Sequence, residues 1–201
     1  PDKLAEQVAL MAQYPDLTVV SGGCVITDAG GDAVGLTRTG LGAGQGFTTG
    51  VFSHPAPPPL SFPPCMVRMD AAKAAGFNPE FRRSQDSDFL IRVMLGKRYG
   101  VSSSLVYAYS QAEAASLSKT MEGYKYRLRC YQQYRGSPPF RSRAAMAKTI
   151  ARMSVYKVAG LLGAEQQLIE RRWQRITPEA QQAYASARET VGGVAEMRAA
   201  S

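Results

Sequence analysis

The chain has 201 residues, 45% of them hydrophobic, and carries a formal net charge of +8. That length suits one substantial domain, or one domain with a helical tail, and the composition is ordinary for a globular protein. No signal-peptide pattern is visible and no apolar run approaches the ~20 residues of a membrane span, which excludes a helical membrane protein as the expectation.

Pro1 suits a first helical position, and Leu4, Val8 and Met11 follow at helical spacing. Tyr14, Pro15 and Asp16 end that helix. Residues 17–26 are rich in β-branched side chains and predict a strand. DAGGD at 28–32 reads as a turn, so residues 33–36 would complete a hairpin.

Residues 40–59 read as a long irregular loop, rich in glycine and then proline. Its glycines lack the flanking strand and helix of a phosphate-binding loop. His54, the only histidine, lies in this loop and reads as solvated rather than as a ligand. Three cysteines, Cys24, Cys65 and Cys130, lack paired or metal-type spacing and read as reduced thiols in a reducing compartment.

Residues 69–75 predict a short helix closed by Gly76. The stretch GFNPEFRRSQDSDFLIRVML, residues 76–95, organises the rest. Ser84 suits the N-cap of a helix running from Gln85 to near Gly96. At about 100° per residue, Phe89, Leu90, Val93 and Met94 share one face, and Asp86 lies on that face in the first turn. Asp88 points elsewhere and has Arg92 four residues on, a helix ion pair. So Asp86 is expected against the interior or a cleft floor. Apolar walls would raise its pKa, as suits a general base, although a helix N-terminus opposes that rise. The plain alternative is that Asp86 is one more acid in a helix first turn.

Residues 101–109 suggest a strand, and the helix before it makes a parallel or mixed sheet plausible. Between residues 119 and 164 the chain turns basic, with Lys125, Arg127, Arg129, Lys148, Arg152 and Lys157 among the cations and Glu122 the one acid. Gly136 to Pro139 would divide this stretch into two helices. A further helical segment runs from residue 165 to about 188, with Pro178 starting a last helix and the end GGVAEMRAAS frayed.

Residues 1–118 resemble the second half of a family 2 glycosyltransferase domain of the GT-A type. The resemblance rests on PDKLAEQVALMAQYPDLTVVSGG, PPCMVRMDAAKAAGFNPEF, SQDSDFLIRVMLGKR and LVYAYSQAEAASLS, met in that order. It implies an α/β fold, a GT-A-like partial domain with a mixed sheet, followed over residues 119–201 by a mostly helical basic extension. It implies an inverting sugar transfer from a nucleotide-sugar donor to a glycan or lipid-linked acceptor. Asp86 would align with the catalytic base, Asp88 and Arg92 with its acidic and basic neighbours, and Arg82 and Arg83 could face the donor diphosphate or only solvent. The donor half, with the acidic motif that holds a divalent metal (Mn or Mg), would lie ahead of Pro1. No metal ligand is assigned here, since Tyr109, Ser110 and Gln111 stand where relatives carry a late histidine.

The basic stretch is open to other readings. It could lie on an anionic membrane surface, with Met146, Ile150, Met153, Val158, Leu161 and Leu162 as anchors. It could contact nucleic acid, although no recognised motif supports that. It could be a packed tail with a solvated face. The location implied is cytoplasmic, with peripheral attachment to the inner membrane face as an option. The alternative to an enzyme is a non-catalytic basic module for polyanions, membrane or nucleic acid.

Overall fold

The sheet is built on β1 (Leu17–Thr27), buried along its whole length. β5 (Arg98–Ser110) runs parallel to it, with Val19 beside Tyr99 and Ile26 beside Tyr109. The computed structural model describes residues 2–37, 46–110, 117–134, 139–164, 168 and 173–199, with the side chains of 139–141 and 191–199 left aside. Among these residues there are five strands and six helices.

The other edge of β1 is shared. β4 (Met66–Val67) pairs antiparallel with its start, and β2 (Ala33–Leu36) pairs antiparallel with its end. Asp28 and Asp32 close the β1–β2 turn, the Asp32 N–H donating to Asp28 Oδ1 (2.9 Å). β3 (Phe47–Val51) pairs antiparallel with β5, placing Phe47 opposite Ser102 and Val51 opposite Arg98. The sheet is therefore mixed, in the order β2-β1-β5-β3.

β3 corrects the sequence reading, which left residues 40–59 irregular. Its FTTGV sequence carries little alternation, and its pairing partner lies some fifty residues on. Residues 38–45 of that loop lie outside the described residues.

α1 (Lys3–Gln13) forms where the spacing predicts a helix. The residue it buries is Gln7, whose amide donates to the Pro64 carbonyl (2.6 Å), while Leu4 and Val8 are exposed. The parallel crossover from β1 to β5 runs through α2 (Met69–Ala75) and α3 (Gln85–Met94). Gly76 closes α2 at φ 57°, its N–H donating to Ala72 (2.9 Å).

α4 (Leu117–Gln132) and α5 (Pro139–Leu161) follow the sheet. They are not peripheral to the core. Cys130, Tyr131 and Ala145 join Val19, Phe89, Ile91 and Met94 in one apolar cluster. The last helix, α6 (Pro178–Ala199), is capped by Thr177, whose hydroxyl accepts the Ala180 N–H (3.2 Å). It is helical to Ala199, and residues 200 and 201 of the segment expected to fray lie outside the described residues. Residues 165–172, expected to be helical, lie almost wholly outside the described residues.

Ahead of α6 the chain returns to the sheet. Leu36 and Gln174 exchange backbone hydrogen bonds (both 3.0 Å), adding a bridge to the free edge of β2. That bridge brings Trp173 onto Gly35, where a Cβ would stand 2.9 Å from the Trp173 Cβ.

Candidate functional site

α3 is buried along most of its length. Ser87, Phe89, Leu90, Ile91, Val93 and Met94 are all buried. Its exposed residues, Gln85 and Asp86, lie in the first turn. Ser84 does not cap the helix as expected. It adopts a left-handed conformation (φ 55°), and its hydroxyl donates to the Gly123 carbonyl of α4 (3.0 Å). A residue expected to serve its own helix instead ties two helices together.

Asp86 lies on the wall of a cleft of about 390 Å³, within the range that small-molecule sites occupy. Leu90, one turn below, lines the same wall. The Asp86 Oδ1 accepts the Ser87 N–H (2.7 Å), which ties down one oxygen. Of the two places expected for Asp86, the interior or a cleft, it takes the cleft and is exposed there. Pro57, Pro58 and Ser61 form the opposite side, so part of the 40–59 loop borders the site.

Chemically distinct groups complete the cleft. Tyr109 stands at the end of β5, half-exposed. Trp173 enters from the C-terminal segment, and Arg127 from α4. The Arg127 guanidinium sits 5.6 Å from the Tyr124 ring centroid, and its Nε is buried without a hydrogen-bond partner. Cys24 also borders the cleft, and burial pushes its thiol up to about 11, which keeps it protonated and inert at neutral pH.

Asp88 takes a different place. It is fully buried. Its Oδ2 accepts from Arg92 Nε (2.9 Å) and Nη2 (2.7 Å), a two-pronged pair, and Cys130 Sγ approaches Oδ1 (3.7 Å). Arg92 also donates to the Ala75 carbonyl, fastening α3 to α2. The pair expected from the i, i+4 spacing is present. It lies under α4 and away from the cleft.

Arg82 and Arg83 are exposed, and neither is among the described residues that line the cleft. Arg83 pairs with Glu122 of α4 (3.3 Å). His54 stacks on Phe52 (centroids 6.5 Å apart), and its Nδ1 lies 3.1 Å from the Ser53 hydroxyl. Among the described residues no cluster of three or more His, Cys, Asp or Glu side chains could hold a metal ion. No helix among them is long and apolar enough to cross a membrane.

Sequence reasoning passed over Trp173 and treated Arg127 only as part of a basic stretch. The available signal for Trp173 was its singularity: it is the one tryptophan, just ahead of a helix-starting Thr-Pro.

No protein-family model matches this sequence, and no curated protein matches it.

Proposed function

We propose that this chain carries the acceptor side of an inverting glycosyltransferase site of GT-A type, with Asp86 as the catalytic base. The observation that carries the reading is the pairing, in one cleft, of an exposed carboxylate with the rings of Trp173 and Tyr109. A sugar offers apolar C–H faces and a rim of hydroxyls. Aromatic rings suit the first and a carboxylate suits the second.

In this reading an acceptor hydroxyl donates a hydrogen bond to Asp86. As its oxygen attacks the anomeric carbon, the proton passes to the carboxylate and the nucleotide diphosphate leaves from the opposite face. Base catalysis of this kind contributes roughly 10²–10⁴-fold. Arg127 offers positive charge to an anionic part of either substrate. The donor's divalent ion would be held by residues other than those described, among which no cluster of His, Cys, Asp or Glu could hold it.

The test has two parts. Trp173 is the only tryptophan, so its emission reports the cleft directly. Titration with simple glycosides should quench or shift that emission, and Trp173→Phe should remove the signal. Asp86→Asn should lower sugar transfer by ~10²–10⁴-fold while leaving glycoside binding nearly unchanged. Transfer at the wild-type rate would remove Asp86 as the base. Glycoside binding without any transfer, in wild type as in Asp86→Asn, would favour a non-catalytic binding module.

A further inference from the structure

α5 packs against α4. It buries Ser142, Ala145, Thr149, Tyr156 and Ala159, a stripe at helical spacing, against α4 and the core beneath. Tyr156 packs on Tyr124 there, ring centroids 5.8 Å apart. Met146 and Met153, which the sequence offered as outward anchors, are half-buried and join these inner clusters.

The outer face is apolar at its centre. Ile150, Val155 and Val158 are all more than half exposed. Leu161 and Leu162 follow at the helix end, 87% and 76% exposed, where Gly163 at φ 66° stops the helix. Isolated exposed leucines are common on soluble proteins, but a stripe running three turns along one helix is not. Viewed down the axis, Lys157 borders one edge of this stripe and Lys148 the other, with Arg143 and Arg152 nearby, all four exposed. α5 contains no acidic residue.

We propose that the outer face of α5 docks on an anionic lipid surface. The central stripe would enter the boundary between headgroups and acyl chains, and the flanking lysines would reach outward to anionic headgroups. Charge complementarity selects this occupant. A second copy of the same face would bring like charges together with nothing to neutralise them. Nucleic acid would need rings for base stacking, and the aromatic residue described on α5, Tyr156, is turned inward. The inference is independent of the sugar-transfer reading, since no cleft residue takes part in it.

The experiment is co-sedimentation of the whole chain with vesicles of phosphatidylcholine alone or mixed with phosphatidylglycerol. Binding is expected to the mixed vesicles, with little to phosphatidylcholine, and should fall sharply in ~1 M salt, where the screening length is ~3 Å. Lys148→Glu with Lys157→Glu should weaken binding by at least ~25-fold, at about fivefold for each cation removed. Leu161→Glu with Leu162→Glu should abolish it. Both pairs are surface changes, and unaltered circular dichroism and Trp173 emission would show an intact fold. Failure to sediment with the mixed vesicles overturns the proposal, as does undiminished binding by the leucine variant. Retention on single-stranded RNA that survives the leucine changes, without vesicle binding, would overturn it in favour of a nucleic-acid face.

Discussion

Asp88 and Asp86 stand two residues apart and have opposite fates. Asp88 is held by both prongs of Arg92 in a site closed by Cys130. Removing one partner of such a pair leaves a buried charge uncompensated, at a cost of ~3–5 kcal/mol. Arg92→Leu, which strands the buried Asp88 carboxylate, should therefore lower the melting midpoint by roughly 10 °C, whereas Asp86→Asn should leave it almost unchanged. Equal midpoints for the two variants would mean that the Asp88 pair contributes nothing to stability. The thiols make a second residue-scale prediction. Burial raises Cys65 and Cys130 to about 12 and Cys24 to about 11, from an ordinary value of 9.0. Above pH 9 the unfolded chain releases these protons while the folded chain keeps them. Folding stability contributed by these groups is thus complete below pH 9 and declines as pH climbs toward 11 and 12. Each thiol steepens the decline by about 1.4 kcal/mol per pH unit. Denaturant titrations at pH 8 and pH 10 should show it, and replacing Cys65 with Ala should flatten the slope.

At the scale of elements, periodicity located most of the chain and failed where a neighbour decides the outcome. The strands at 17–27 and 98–110, the 28–32 turn, the Gly76 stop and the Pro178 start were legible because each rests on local chemistry. β3 was not, since Phe47–Val51 becomes a strand only by pairing with β5. The spacing of α3 correctly set Asp86 above Leu90 and Asp88 beside Arg92. It could not say that α4 would cover the Asp88 side, because that side of α3 is polar in sequence and α4 lies some thirty residues downstream. The Trp173 seat is equally non-local. It depends on the Leu36–Gln174 bridge and on Gly35 having no side chain. Gly35→Ala should push Trp173 aside, since its Cβ would also meet the Gln174 carbonyl at 3.2 Å. A red-shifted Trp173 emission with weaker glycoside binding and preserved secondary structure is the expected result. Unchanged emission would show that the ring is not seated there.

At the scale of the molecule, the question is what residues 119–201 do for the α/β part. The sequence set a boundary at 118 because the charge pattern changes there. The packing runs straight across it. Ser84 reaches Gly123, Arg83 reaches Glu122, and Arg129 pairs with Glu80 (2.6 Å) while lying 5.8 Å from the Phe81 ring centroid. These exposed pairs contribute little individually, but they sit over an apolar interface in which Cys130 and Tyr131 are fully buried. Removing α4 and α5 would uncover Phe81, Phe89 and Ile91 and open the Asp88–Arg92 pair to water. Burial of each such large side chain is worth about 1.5–3 kcal/mol, and a domain's whole margin is only about 5–15 kcal/mol. Residues 1–118 expressed alone should therefore lack a cooperative thermal transition and should bind a hydrophobic dye, and extending the chain to residue 164 should restore the transition. A sharp melt from residues 1–118 alone would make the helical part an accessory. Arg127 would then be an addition to the cleft rather than part of a core that the cleft cannot form without.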